Sequence, residues 1–132
     1  GKVDNNITRW HRDMDKEIFA KMKPGDKWAD LSARDRKRIG YNDDSFNDKW
    51  KRLPRNKPSH TIVAHLQKDG YMFIHPTQDR TISVREAARL QSFPDNFVFC
   101  GGRGSQFRQV GNAVPPLLAR AVGKTVLRIL QS

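Results

Sequence analysis

Two stretches of this 132-residue chain decide its fold: residues 80–94 read RTISVREAARLQSFP, and residues 106–116 read QFRQVGNAVPP. The first stretch predicts a helix that starts after Ser83 or Thr81. Ser83 is followed three residues later by Glu86, which is the spacing of a capping box. Pro94 ends the helix, because the residue before a proline is pushed out of the helical region. Four residues share one face at helical spacing and form its packing surface: Val84, Ala87, Ala88 and Gln91.

The second stretch predicts a break followed by a new helix. Gly111 and Asn112 mark the break, and Pro115 and Pro116 suit the first turn of the next helix. Backbone N–H groups are unpaired at such a start, so the segment is a natural place to hold a polar ligand. The new helix carries an apolar stripe that needs a partner surface, formed by Leu118, Ala121, Val122, Thr125, Val126 and Ile129.

The rest of the chain predicts further helices and one hairpin. Helical spacing covers residues 13–22 and 33–39, and Gly40 is expected to end the second of these helices. A further helical turn is predicted at 45–53. Residues 61–66 and 71–74 alternate as strands do, and the Asp-Gly pair between them is a strong hairpin signal. We therefore expect an α+β fold, mainly helical, with a short antiparallel β-hairpin.

Composition favours a polyanionic partner. Twenty-five Lys and Arg against fourteen Asp and Glu give a formal charge of +11, and nucleic acid is the leading candidate. A solvated basic surface without a partner is the alternative. One cysteine excludes an internal disulfide, and the four histidines lack metal-site spacing, so no metal is expected. No apolar run is long enough for a membrane span and no secretory signal is visible, which predicts a cytoplasmic protein without a membrane partner.

The two stretches resemble the last two conserved motifs of the DNA (cytosine-5)-methyltransferases. One motif is the T-x-x-x-R-E-A-A-R-L-Q-x-F-P helix after the target recognition region, and the other is the Q-x-G-N-A-V-P-P segment that closes the cofactor pocket. Their order and separation also match, and the resemblance covers about residues 52–132. It implies a C-terminal portion without the Rossmann-like catalytic domain. Residues 1–80 would be the target recognition region, and residues 81–132 the small-domain helix and a helix returning to the catalytic domain.

The resemblance also implies roles for individual residues. The S-adenosylmethionine pocket would be lined by Gly111, Asn112 and Ala113. Thr61 would hydrogen-bond a phosphate beside the flipped cytosine, and His65 would lie near the DNA. The DNA-contacting set is completed by Lys68, Arg80 and Arg103. The residues expected to hold the motifs in place are Arg85, Glu86, Arg89, Gln109 and Pro115.

The catalytic motifs of that family are missing from this sequence. The family reaction needs a cysteine thiolate in a Pro-Cys dipeptide, a glutamate in an E-N-V motif and an F-x-G-x-G loop, and the chain has none of them. Cys100 lies downstream of the R-E-A-A-R helix, which is the wrong position for the nucleophile. We expect no catalytic residue here and no activity of the chain alone. The expected partners are double-stranded DNA, the missing catalytic domain or subunit, and a second copy bound through the last helix.

Two other functions remain open from the sequence. The chain could be a stand-alone DNA-binding module that recognises DNA without catalysis, or a piece with no independent role. Salt-dependent, sequence-preferring binding to a duplex would favour the first of these.

Overall fold

The computed structural model describes residues 3–40 and 49–132. Five α-helices are seen in these residues: α1 (Asp13–Lys21), α2 (Ala33–Ile39), α3 (Val84–Leu90), α4 (Arg103–Asn112) and α5 (Pro116–Gln131). Three short 3₁₀ turns lie between α1 and α3, at Trp28–Asp30, Ala64–Gln67 and Tyr71–Phe73.

The local helix signals are confirmed. Ser83 Oγ accepts from the Glu86 backbone N–H at 3.2 Å, and the Ser83 N–H donates to the Glu86 carboxylate at 2.7 Å, so the predicted capping box is present. Gly40 ends α2 with a φ of 77°, a left-handed conformation that glycine adopts without strain. Pro116 opens α5 as expected. Part of the helical turn predicted at 45–53 lies outside the described residues, and residues 49–53 are not helical.

The predicted β-hairpin is wrong, and with it the α+β fold class. Within residues 3–40 and 49–132 the only β-type pairing is three isolated bridges, and the fold is helical. In the first predicted strand, residues 61–63 are irregular and Ala64–Gln67 form a 3₁₀ turn, in which the Leu66 N–H donates to the Val63 carbonyl at 3.0 Å. Residues 71–74 pair instead with 51–53 on one side and 81–82 on the other.

The Asp-Gly pair starts a turn and does not form a hairpin loop. Asp69 Oδ1 accepts from the Tyr71 backbone N–H at 2.9 Å, two residues on. This side-chain bond mimics a backbone turn and begins the 71–73 turn. Three of the apolar residues are still buried although no strand forms, since Ile62 is 7% exposed and Leu66 and Phe73 are 0% exposed, whereas Ala64 is exposed.

Two hydrophobic cores organise the described residues. The N-terminal core is formed by Ile18, Phe19, Met22, Trp28, Leu31, Trp50 and Ile74. The C-terminal core joins α3 and α4 to the 64–67 and 71–73 turns, and includes Leu66, Phe73, Val84, Ala88, Phe107 and Val110. Arg52 connects the N-terminal core to the following loop, since its buried guanidinium donates to the carbonyls of Phe19, Met22 and His75.

Helix α5 extends from the C-terminal core with no buried residue. Its start is held by a bond from the Leu117 N–H to Ser92 Oγ at 3.1 Å. No helix in the described part of the chain is both long and apolar enough to cross a bilayer. Large apolar residues are exposed along the whole length of α5, at Leu117, Leu118, Val122, Val126, Leu127, Ile129 and Leu130.

Candidate functional site

The two sequence motifs meet where α3 ends beside the end of α4. Gln91, which follows α3 and is buried, donates from Nε2 to the carbonyls of Val110 at 3.1 Å and Ala113 at 3.3 Å. Both carbonyls lie at the end of α4, where no further helical turn supplies donors, and the Val110 carbonyl also accepts from the Ala113 backbone N–H at 3.3 Å. Gln91 therefore fixes the backbone on both sides of Gly111 and Asn112. The sequence signal was a polar residue on an otherwise apolar face, which requires a partner when buried.

Helix α4 also packs directly on the 64–67 turn, and Gly111 makes the contact possible. A Cβ at this position would lie 2.9 Å from the Val63 carbonyl oxygen and 3.1 Å from Ala64 Cα. Both atoms belong to the backbone, so neither can rotate away. The missing side chain of Gly111 is thus explained by close packing between α4 and the turn.

Arg9 also holds α4 against the 64–67 turn. Its guanidinium lies over the Phe107 ring at 4.7 Å and donates to the carbonyls of Leu66 and Gln67, the last residues of the turn. One side chain thus bridges α4 and the turn. This role of Arg9 could not be predicted from the sequence, because the first ten residues show no helical or strand periodicity.

Asn112 is exposed and lines an open cavity of about 220 Å³ between α4 and the 64–67 turn. Two of the predicted DNA-contacting residues, His65 and Lys68, line the same cavity, together with Arg108. The structure therefore brings one predicted cofactor residue and two predicted DNA-binding residues to one place. Of the other predicted cofactor residues, Ala113 is the partly buried cap of α4.

Thr61 lies at a second cavity, of about 490 Å³, which shares no lining residue with the first. It is exposed, and the cavity is also lined by His60, Arg89, Gln91 and Pro115. Thr61 and His65 therefore open onto separate cavities, although both stand on the segment that packs against α4.

Arg80 lies outside both cavities and forms an ion pair at the start of α3. Its two terminal nitrogens each lie 2.7 Å from an oxygen of Glu86, and its Nε donates to Gln78. Burial by itself would raise the pKa of Glu86. The hydrogen bonds from Arg80 and from the Ser83 N–H outweigh burial and lower this pKa to about 2.

The two other motif arginines of α3 have different surroundings. Arg85 is 1% exposed and donates to the carbonyls of Asp4 at 2.9 Å, Pro94 at 3.1 Å and Phe97 at 2.6 Å. Arg89 is exposed and forms a two-bond pair with Asp95 at 2.8 and 2.7 Å. Arg85 thus holds the N-terminal segment and the loop after α3 against the helix.

The remaining predicted residues lie around α4 and α5. Gln109 donates to the Cys100 carbonyl at 2.9 Å, and Pro115 is the residue that precedes α5. Arg103 is exposed at the first position of α4 and donates to the Thr8 carbonyl at 3.3 Å. Cys100 is an exposed free thiol and lines neither of the two cavities described above.

Comparison with known proteins identifies the class. The sequence profile of the C-5 cytosine-specific DNA methylase family matches residues 2–128. The match covers nearly all of the chain, so the protein belongs to this family. The family identification made from the two sequence motifs is confirmed.

Individual relatives are named as type II methyltransferases and are much longer. M.OihORF3336P of Oceanobacillus iheyensis is 40% identical over 156 aligned positions, covering 98% of this chain and 34% of that protein. The type II methyltransferase M.AgeI of Thalassovita gelatinovora is 57% identical over 61% of this chain and 19% of its own length. The type II methyltransferase M.Sau96I of Staphylococcus aureus is 34% identical over 91% of this chain and 29% of its own length. The chain thus spans about a third or less of the length of these relatives.

Proposed function

We propose that this chain is the C-terminal, DNA-binding part of a type II DNA (cytosine-5)-methyltransferase, and that it completes the S-adenosylmethionine pocket. The observation that carries the proposal is the exposed Asn112 at the rim of a cavity that also holds His65 and Lys68. Family membership and the length of the relatives support it, because the catalytic motifs are absent from a chain about a third as long.

The residues at the end of α4 fit one wall of a cofactor pocket. The Asn112 amide offers both a donor and an acceptor at an open edge. Gln91 holds the backbone around it, and Gly111 keeps it against the 64–67 turn. S-adenosylmethionine would supply the methyl group, while this chain would orient the cofactor and enclose it on one side. A cysteine thiolate from the catalytic part would attack cytosine C6 and so activate C5.

The same region supports DNA binding. Thr61, His65 and Lys68 are all exposed on one short segment, and Arg103 is exposed at the start of α4. With a formal charge of +11, the chain favours a polyanion. Arg80 is the exception among the residues predicted to contact DNA. Because its donors are taken by Glu86 and Gln78, we assign it to holding the start of α3.

Helix α5 supports the proposal that a further part of the enzyme binds here. The large apolar side chains of α5 are all exposed, which is unusual for a surface that faces only solvent. We propose that the catalytic part covers this face, and that a second copy of the chain covers it when the catalytic part is absent.

A two-part assay tests the proposal. The chain is mixed with the O. iheyensis relative cut before its matching region, and radiolabelled methyl transfer to cytosine-containing duplex DNA is measured. We expect transfer only from the mixture, and Asn112→Ala to raise the apparent KM for the cofactor. Methyl transfer by the chain alone would contradict the proposal. Duplex binding by the chain without transfer in any mixture would favour the stand-alone DNA-binding module.

A further inference from the structure

The cavity at the end of α4 is cationic. His65 and Lys68 line it from the turn side, and Arg108 lines it from the helix side. No Asp or Glu is among its lining residues. A small open cavity with cationic and N–H donor groups on two walls has the chemistry of an anion site.

The two walls are held at a fixed separation. Gly111 brings the backbone of α4 against Val63 and Ala64, and Arg9 bridges the same two elements. Because the donors stand on elements already in contact, little ordering is needed when an anion enters. Such preorganisation increases affinity by reducing the entropy cost of binding.

Arg108 is available for a ligand, unlike the arginines of α3 and its start. Arg80 and Arg89 are paired with carboxylates, and Arg85 is buried among carbonyls. Arg108 is exposed and has no carboxylate or carbonyl partner among residues 3–40 and 49–132. A planar guanidinium with free donors matches two phosphate oxygens at once.

We propose that Arg108, with Lys68 and His65, clamps one phosphate of the DNA backbone, an inference that rests on the proposed DNA-binding function. Arg108 and Asn112 are four residues apart on α4 and lie on one side of it. A phosphate held by Arg108 therefore lies next to the segment assigned to the cofactor. The clamp makes Arg108 a positioning residue that sets the distance between duplex and cofactor wall.

The test is a salt titration of duplex binding by fluorescence anisotropy, with the whole chain. Each neutralised phosphate contributes a slope of about −0.9 to the plot of log K against log salt. Arg108→Gln should make the slope shallower by about 1. When salt is raised from 50 to 200 mM, the loss of affinity of this variant should therefore be about 3.5-fold smaller than the loss of the wild type. Arg108→Lys keeps a charge and should retain most of the slope.

Arg128→Gln is the matched control. Arg128 is exposed and lies about 18 Å along α5 from its first residue, Pro116. The substitution removes the same charge but not from the cavity, so the slope of log K against log salt should not change. Circular dichroism of each variant checks that the helices remain.

The outcomes separate this inference from the proposed function. If wild-type chain binds DNA and Arg108→Gln matches Arg128→Gln, the clamp is wrong while the proposed function stands. If Arg108→Gln weakens cofactor binding by the two-part enzyme without changing the slope, the anion is the cofactor carboxylate and the phosphate assignment is overturned. If neither the chain nor the two-part enzyme binds duplex, the DNA-binding function fails and the clamp fails with it.

Discussion

Replacing Gly111 by alanine tests the packing on which the whole site depends. The added Cβ would lie 2.9 Å from the Val63 carbonyl oxygen, 3.1 Å from Ala64 Cα and 3.4 Å from the Val63 carbonyl carbon. Ordinary contacts of a Cβ begin near 3.4 Å, so the 64–67 turn and α4 must separate by roughly half an ångström. Only backbone atoms oppose the new methyl group, so no side chain can move aside to relieve it.

Two effects of opposite sign set the magnitude. Forcing an extra methyl group into a packed contact costs about 1–3 kcal/mol. Replacing glycine by alanine inside a helix contributes up to about 1 kcal/mol in the other direction. We therefore expect Gly111→Ala to lower the free energy of unfolding by about 1–2 kcal/mol. Affinity for duplex DNA should also fall, because His65 and Lys68 move with the turn.

Gly104→Ala is the control, in the same helix. Apart from its own helix, no part of the described chain comes within 4 Å of its Cβ position, so only the helix-propensity gain applies and the variant should be as stable as the wild type or more so. Urea denaturation followed by circular dichroism gives both unfolding free energies. If Gly111→Ala proves as stable as Gly104→Ala, close packing does not explain the glycine and the reasoning about the cavity walls is wrong.

Four further predictions follow from individual side chains. Arg85→Met should lower the free energy of unfolding by about 3 kcal/mol or more, since it removes the hydrogen bonds that a guanidinium 1% exposed donates to three backbone carbonyls, whereas Arg89→Met, on the exposed side of α3, should leave the urea midpoint nearly unchanged. Glu86 has a lowered pKa, so the stability its carboxylate contributes is present above about pH 4.5 and lost as pH falls toward 2; Glu86→Gln should flatten that part of a stability-against-pH curve. Burial lowers the pKa of His11, whose Nε2 accepts the Thr81 backbone N–H. The unfolded chain therefore takes up the proton first, and the free energy of unfolding should fall as pH drops below about 6.5. His11→Gln should reduce the difference between the unfolding free energies that urea titrations give at pH 5 and pH 7. Val126→Glu on the exposed face of α5 should abolish methyl transfer by the two-part mixture and leave duplex binding by the chain unchanged, and normal transfer by this variant would show that the catalytic part binds elsewhere.

The sequence by itself determined the family and four of the five helices in the described residues, whereas α4 (Arg103–Asn112) was not predicted. Caps, breakers and helical spacing act over a few residues, so the capping box at Ser83, the left-handed Gly40 and the Pro116 start could be predicted without any tertiary contact. The same holds for the exposed stripe of α5, which depends only on helical periodicity. Two motifs in a fixed order were specific enough to identify the family before any comparison.

Only the tertiary structure decided how residues 61–74 fold and how the site is assembled. Alternating apolar residues are compatible with a strand, but such residues can also be buried from 3₁₀ turns. Which of the two forms depends on which distant backbone groups supply the hydrogen bonds. Here residues 51–53 and 81–82 supply them. The bridge made by Arg9 and the tight contact of Gly111 likewise join elements that come together only in the folded chain.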